Sequence, residues 1–293
     1  FFADLVRERS QGRINIKVYH SSQLLAGKQT SEFLLLRNGA IDFALASTIN
    51  WSPQIKELNL PALPFFLAVQ PDRYKAMDAI LAGKSGKMMT QAVEKKGVKI
   101  IGWTENGFRE LTNSKHEVKT LDDMKNLKIR VAGSNLLMKC YELWGADATN
   151  MNWSETYTAL QQNTVEGQEN PLPAIDAASV QEVQKYVSMW NANYDCLFFC
   201  INQDIYDSLT PEQQEVVDEC GKLAVQYERE INRAGDDEIL SRWQSKNGVE
   251  VIPYEDLDID SFKAIVEPVT EWYIGELKKQ GYKDAEELVA AFK

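Results

Sequence analysis

Arg130 is the residue of this sequence best suited to bind an anion. It lies inside a predicted strand from Leu127 to Val131, with an apolar residue on each side. An arginine in such a strand either faces solvent or needs a partner, because burying an unpaired charge is unfavourable. Its planar guanidinium can donate two parallel hydrogen bonds to one carboxylate. The residue types alone leave open a solvent-facing side chain, a structural ion pair and a carboxylate-binding site.

Two other residues have both a structural and a ligand-binding interpretation. Asn170 precedes Pro171 at the end of a polar turn, where it is either a turn residue or a ligand contact. Trp153 precedes Ser154, which is predicted to cap a helix. The tryptophan is therefore either a hydrophobic staple or the wall of a pocket.

The chemistry that most enzymes use is sparse in this chain. His20 and His116 lack the neighbours of a catalytic or metal site, so we expect both at the surface. Motifs of the G-x-S-x-G and G-x-G-x-x-G types are absent. Cys196 and Cys200 lie roughly 13 Å apart if they share one straight strand, which is too far for a disulfide. We expect no cofactor, no metal and four buried free thiols, at Cys140, Cys196, Cys200 and Cys220.

Helix and strand signals alternate in the first half of the chain, which favours an α/β sheet. The predicted strands are Ile14 to Tyr19, Ile41 to Ala46, Val98 to Trp103 and Leu127 to Val131. The predicted helices are Leu5 to Gly12, Thr30 to Arg37, Asp72 to Lys96, Asn135 to Leu143 and Ser154 to Gln162.

A longer helix is predicted later in the chain. Thr210, Pro211 and Gln213 provide an N-cap, a proline at the first helical position and a capping-box glutamine. Apolar residues then recur with helical spacing from Val216 to Trp243. A helix of about 30 residues is roughly 45 Å long. It either bridges two lobes or lies on the surface of one domain.

Composition indicates a globular protein. The chain has 293 residues, of which 44% are hydrophobic and 26% are charged, which suits one large domain or two ordinary ones. The net charge of −11 argues against nucleic acid and anionic membrane surfaces as partners. It does not exclude an anionic ligand, because salt screens a diffuse surface charge within about 10 Å.

Phe1 to Val6 already reads as helix interior, so we expect a leader and a first strand to precede it.

Several segments of the chain resemble one known family. They are ENGFR-x-x-TNS from Glu105 to Ser114, LKIRV from Leu127 to Val131, SE-x-YTALQQ-x-x-V-x-GQENP from Ser154 to Pro171, and EVQKY from Glu182 to Tyr186. Together they are similar to solute receptors of TRAP (tripartite ATP-independent periplasmic) transporters of the C4-dicarboxylate type. The resemblance covers most of the chain and is loose only over the last 40 or so residues.

The resemblance implies an α/β, two-lobed fold like that of periplasmic binding proteins, with a long helix that spans both lobes. Residues 1–106 and 195–235 would form lobe I, and residues 107–194 and 236–293 would form lobe II. A ligand would be enclosed between the lobes.

The resemblance also implies a set of ligand-binding residues. Arg130 corresponds to the carboxylate clamp, Arg109 to a secondary contact, and Asn170 to an asparagine that binds the same carboxylate. Trp153 takes a place often held by phenylalanine in an aromatic wall. In the first lobe, Ser47, Asn50 and Trp51 follow the strand that would face the ligand, and they would contact it. Gln29 and Asp195 would be two further contacts.

The family pattern implies a function but not a particular ligand. Ala132 and Gly133 replace the usual proline and polar residue after the clamp, so a sugar acid, a C4-dicarboxylate and an aromatic acid all remain open. We expect a monomeric receptor in the periplasm that captures a small carboxylate and delivers it to membrane permease subunits. The alternatives are a sensor module that presents the same pocket to a signalling partner, and an enzyme acting on an organic acid with Glu105 or Glu169 as general base.

Overall fold

The computed structural model describes residues 1–20, 22–68, 70 and 72–290, which form a mixed sheet surrounded by helices. The strands are β1 Phe43–Ser47, β2 Val98–Asn113, β3 Lys128–Val131, β4 Asp147–Asn150, β5 Gly167–Asn170, β6 Tyr186–Asn202 and β7 Glu250–Ile252. The helices are α1 Phe2–Arg9, α2 Glu32–Arg37, α3 Thr48–Trp51, α4 Arg73–Ala82, α5 Lys84–Glu94, α6 Leu121–Met124, α7 Asn135–Leu143, α8 Trp153–Gln161, α9 Leu172–Ala177, α10 Gln203–Ser208, α11 Pro211–Arg233, α12 Asp236–Arg242, α13 Ile259–Lys279 and α14 Ala285–Ala290.

Two long antiparallel strands, β2 and β6, hold the sheet together. The described strands run in the order β1-β6-β2-β5-β3-β4, and β7 pairs with β6 outside this path. β1 pairs with the C-terminal end of β6. At the other end of the long pair, β5 pairs with the C-terminal end of β2, and β7 pairs with the N-terminal end of β6. The β2–β6 register slips near Ile100, Glu105 and Arg109. Such irregularities bend a strand, so the sheet turns between its two ends along the middle of these strands.

The predicted long helix is two helices. α11 ends at Arg233 and α12 begins at Asp236, after Gly235. α11 packs on β2 and α1, whereas α12 packs on α9. The indole Nε1 of Trp243 donates a 2.9 Å hydrogen bond to Asp176 of α9, which anchors the chain after the break. The apolar periodicity predicted helix on both sides correctly, but it gave no sign of the interruption.

Two other predicted elements differ from the structure. Residues 14–19 form no strand, and Val18 and Tyr19 are exposed. Alternating side chains make a strand only where a neighbouring strand supplies hydrogen bonds, and no strand in the described ranges pairs with this segment. The predicted helix from Asp72 to Lys96 is interrupted at Gly83, whose backbone is extended.

The predicted states of the cysteines and histidines are confirmed. All four cysteines are buried and free. His20 and His116 are exposed. No helix built from the described residues is long and apolar enough to cross a lipid bilayer.

The close packing of β5 between β2 and β3 generates a prediction. A Cβ atom at Gly167 would lie 2.4 Å from the carbonyl oxygen of Thr112 and 2.7 Å from Cδ1 of Ile129. Because a backbone atom cannot move aside cheaply, we expect Gly167→Ala to lower the free energy of unfolding by about 1–3 kcal/mol. Urea denaturation measures the change.

Gly275 provides the matched control for this substitution. A Cβ atom there meets nothing within 4 Å, and the residue lies inside α13. We expect Gly275→Ala to leave stability unchanged or to raise it by up to about 1 kcal/mol, from helix propensity. Equal effects of the two substitutions would contradict the packing argument.

Candidate functional site

A cavity of about 210 Å³ lies beside the register slips between β2 and β6. It is lined by residues from both ends of the sheet and from the helices that cover it. All of the predicted ligand-binding residues except Trp51 line it: Gln29, Ser47, Asn50, Arg109, Arg130, Trp153, Asn170 and Asp195. Glu32, Leu45, Asn106, Ala132, Ala174 and Leu197 complete the lining.

Strand register brings the polar groups of β2, β3 and β5 together. In the ladder between β3 and β5, Arg130 is the partner of Gln168. In the ladder between β2 and β5, Glu110 is the partner of Asn170. Arg109, Arg130 and Asn170 therefore reach the cavity from three adjacent strands.

Arg130 is buried and forms no ion pair with an acidic residue in the described part of the chain. Its side chain is 2% exposed, and Nε donates a 3.0 Å hydrogen bond to the carbonyl oxygen of Met151. Nη1 is buried and has no hydrogen-bond partner among the described residues. The guanidinium carbon lies 5.3 Å from the ring centre of Trp153, within the range of a cation–π contact. Burial lowers the pKa of Arg130 to about 10, with Glu169 opposing the shift and Arg109 adding to it, so the group stays charged at neutral pH.

Arg109 has the opposite environment, because two carboxylates bind it. Its Nε and Nη2 donate to the carboxylate of Glu169, and Nη1 lies 3.3 Å from Oδ2 of Asp195. Burial lowers the pKa of the Arg109 guanidinium, but the charges of Glu169 and Asp195 outweigh it, so the pKa is raised. Arg109 therefore lines the cavity with most of its hydrogen-bonding capacity already used.

Asp195 connects Arg109 to the other side of the cavity. Its carboxylate accepts hydrogen bonds from the hydroxyls of Ser47 and Thr48 and from the amide of Asn106. Burial raises the pKa of Asp195, and Arg109 and these donors offset part of that shift. Ser47 also accepts from the backbone N–H of Asn50 and so caps α3. The hydroxyl of Ser47 and the carboxylate of Asp195 are thus engaged within the protein.

Comparison with known proteins identifies the family of this chain. The model of the DctP family, described as bacterial extracellular solute-binding protein family 7, matches residues 1–276. The chain belongs to this family. The predicted resemblance to TRAP solute receptors is thereby confirmed.

Solved structures show the same fold. A TRAP periplasmic solute-binding protein of Ralstonia eutropha with bound (S)-2-acetolactate is 39% identical, with a TM-score of 0.90 over 99% of this chain and 92% of that one. One from Sulfitobacter with bound β-D-galacturonate is 30% identical, with a TM-score of 0.89 over 99% of this chain and 92% of that one. The predicted two-lobed α/β fold of a periplasmic binding protein is therefore confirmed.

A curated relative is similar over most of the chain. The 2,3-diketo-L-gulonate-binding periplasmic protein of Escherichia coli is 33% identical over 261 residues, which are 89% of this chain and 77% of the relative. Members of this family are binding proteins of transporters and not enzymes.

The two acids considered as general bases in this DctP-family chain both serve structural roles. Glu105 is 1% exposed and is bound by Arg233 and Arg229 of α11. Glu169 is fully buried, pairs with Arg109 and accepts a 3.0 Å hydrogen bond from the backbone N–H of Ala132. Neither carboxylate is among the groups that line the cavity.

Trp51 lies behind the cavity wall rather than in it. It is fully buried, with ring contacts to Phe33 and Phe198 at centre-to-centre distances of 5.1 and 5.0 Å. Its indole Nε1 donates a 3.0 Å hydrogen bond to Oε2 of Glu32, which does line the cavity. Sequence analysis missed Glu32, because an acid in the first turn of a helix usually has the structural role of favouring that helix end.

Gly27 and Gly133 allow residues 27–30, which form the cover of the cavity, to contact its opposite side closely. A Cβ atom at Gly133 would lie 2.4 Å from Cγ2 of Thr30, and one at Gly27 would lie 2.4 Å from Oγ of Ser154. Between these contacts, the backbone N–H of Trp153 donates a 3.3 Å hydrogen bond to Oε1 of Gln29. Residues 27–30 therefore cover the cavity by contacting the segments that follow β3 and begin α8.

The environment of Glu32 generates a prediction about pH. Burial raises the pKa of this carboxyl from 4.5 to about 7, against a smaller lowering by the Trp51 hydrogen bond. Between these pH values the folded protein binds more protons at Glu32 than the unfolded chain does, so this contribution to stability falls as pH rises. We expect Glu32→Gln to remove it, and the variant should gain stability relative to the wild type from pH 5 to pH 8. Urea denaturation of both proteins at each pH provides the measurement, and parallel profiles would contradict the assignment.

Proposed function

We propose that this chain is the periplasmic receptor of a TRAP transporter, and that it captures a small organic acid whose carboxylate binds Arg130. Asn170 and Trp153 complete the carboxylate site, and Gln29, Ser47, Asn50, Arg109 and Asp195 shape the rest of the cavity. The loaded receptor, acting as a monomer, delivers the acid to the membrane permease subunits.

The observation that carries this proposal is the unpaired guanidinium of Arg130. A buried charge without a counterion is unfavourable, and a carboxylate that enters the cavity would remove that penalty while forming charge-assisted hydrogen bonds. Nη1 lacks a partner among the described residues, and Arg130 lines the cavity. The ring of Trp153 lies 5.3 Å from the carbon of the same guanidinium.

The enclosure of the cavity supports capture by closure. The cavity draws its lining from β1, α2 and α3 on one side and from β3, β5 and α8 on the other. A ligand that touches both sides only when they meet shifts the protein toward the closed form. The lobes we propose are residues 1–106 with 195–235 and residues 107–194 with 236–293, and the packing of α14 on α5 crosses this division.

Comparing Arg130 with Arg109 tests the clamp. We expect Arg130→Met to weaken acid binding by at least about 30-fold, because truncating one partner of a buried charge pair costs about 2 kcal/mol or more. The stability of the ligand-free protein should stay within about 1 kcal/mol of the wild type, since the substitution removes the Met151 hydrogen bond and the Trp153 ring contact but also removes a buried charge that has no counterion among the described residues. Isothermal titration calorimetry, with an acid found by a thermal-shift screen, and urea denaturation measure the two effects.

Arg109→Met is the matched variant. It leaves the buried carboxylates of Glu169 and Asp195 without their cation, so we expect a loss of about 3–5 kcal/mol in unfolding free energy. Unchanged affinity in Arg130→Met, or a stability loss as large as that of Arg109→Met, would refute the clamp role.

The contact between Gly133 and Thr30 tests closure. We expect Gly133→Ala to weaken acid binding roughly 5- to 150-fold, because overpacking of this kind costs about 1–3 kcal/mol and here acts on the closed form. Adding Thr30→Ala removes the methyl group that the new Cβ meets, so the double variant should recover most of the affinity. Gly275→Ala controls for the added methyl, and small-angle scattering with and without ligand reports closure. A double variant as weak as Gly133→Ala alone would count against this mechanism.

A further inference from the structure

Among the described residues, four charged side chains line the cavity. Two of them pair with each other, and the other two have hydrogen-bonding atoms without a partner in the described ranges. Arg109 and Asp195 pair with each other, and each also bonds to other groups of the protein. Nη1 of Arg130 has no hydrogen-bond partner within the ranges that the structure describes. The fourth is Glu32, for which the described residues provide no ion pair.

Glu32 is held in place by one of its two carboxylate oxygens. Oε2 accepts from the indole of Trp51, which Phe33 and Phe198 fix on either side. Oε1 makes no hydrogen bond or ion pair with the described residues, although the residue lines the cavity. The side-chain amide of nearby Asn50, another lining residue, makes no hydrogen bond to them either. One side of the cavity therefore presents a carboxylate oxygen and an amide with free hydrogen-bonding capacity.

We propose that Glu32 determines which acids this receptor accepts: it hydrogen-bonds a hydroxyl group of a hydroxylated monocarboxylate and disfavours a second carboxylate at that place. The inference rests on the proposed function, because it takes Arg130 as the site of the first carboxylate. Arg130 and Glu32 belong to β3 and α2, and no ion pair joins them among the described residues. A ligand with a carboxylate at one end and hydroxyl groups along its chain can satisfy both.

The selectivity follows from charge and hydrogen bonding. A hydroxyl donates to a carboxylate in a charge-assisted bond, which is stronger than a neutral one. A second ligand carboxylate has no proton to donate, so it meets a like charge and specificity arises from repulsion as well as attraction. Burial raises the pKa of Glu32 to about 7, so the selectivity should be measured at pH 8.5, where the ionised form predominates.

Matched pairs of acids test the proposal. D-Erythronate and meso-tartrate differ only in the oxidation of the terminal CH2OH to a carboxylate, and D-galactonate and galactarate differ in the same way. Dissociation constants are measured by calorimetry at pH 8.5 for the wild type, Glu32→Gln and Arg130→Met. Glutamine keeps an oxygen that can accept from Trp51, so the substitution removes the charge while preserving the shape. Exposed Glu267 of α13 supplies the control Glu267→Gln, which changes the net charge by the same amount.

We expect the wild type to prefer the monocarboxylate of at least one pair, and Glu32→Gln to reduce that preference at least about tenfold, mainly by tighter binding of the diacid. Glu267→Gln should leave the preference unchanged. An equal preference in Glu32→Gln and the wild type would overturn the inference. Wild-type binding of the diacid as tightly as the monocarboxylate in both pairs, or failure to bind either monocarboxylate at millimolar concentration, would also overturn it.

Arg130→Met separates this inference from the proposed function. We expect it to weaken both members of a pair by similar factors, because both use the first carboxylate. If Arg130→Met abolishes acid binding while Glu32→Gln leaves the preference intact, the clamp stands and only the role of Glu32 fails. If Arg130→Met binds acids like the wild type, the clamp itself fails, and with it the basis of this inference.

Discussion

Arg130 carries a buried positive charge, and Glu169, the acid that raises its pKa, is already engaged. Glu169 is close enough to raise the pKa of Arg130, but Arg109 and the backbone N–H of Ala132 bind its carboxylate oxygens. The ion pair of Arg109 therefore does more than stabilise β2 and β5. Because it uses the internal carboxylates, it keeps them from neutralising Arg130, and the guanidinium remains available to an anion from outside. A receptor for acids needs an arrangement of this kind, since an arginine with its own carboxylate would have to break that pair for every ligand.

The bends of β2 and β6 place this electrostatic arrangement between the two halves of the sheet. Asn106 and Arg109 lie at register slips of β2, and Asp195 on β6 is the ladder partner of Gly107 between them. Asp195 also binds Ser47, the last residue of β1, and Thr48, the first residue of α3. The hydrogen bonds of one carboxylate thus connect the strands that must reorient if the halves move. A ligand at the bend is close to both halves at once, which is the geometry that couples binding to closure.

Sequence patterns predicted the parts of this architecture that depend on local interactions. The short strand that holds Arg130 and the cap at Thr210 that begins α11 were predicted correctly, whereas the pattern alone left the role of Arg130 open. The segment from Ile14 to Tyr19 failed because a strand depends on a partner that its own sequence does not reveal. The break near Gly235 was missed because a single glycine is tolerated within a helical pattern. Trp51 was predicted to line the cavity and Glu32 was not, whereas in the structure Glu32 lines it and Trp51 lies behind it. Three-dimensional packing decides which of these two hydrogen-bonded side chains faces the cavity.

Where residues 27–30 cover the cavity, few hydrogen bonds among the described residues join them to its opposite side. Among the described residues, one hydrogen bond of 3.3 Å joins Gln29 to the backbone of Trp153, and the other close approaches involve Gly27 and Gly133. Glycines let the surfaces meet without adding attraction of their own. On the proposed mechanism, the free energy that holds the cover in place comes largely from the ligand, through Arg130 and Glu32. We propose that weak intrinsic closure lets the ligand-free protein stay open, and that it allows release once a partner competes for the open form.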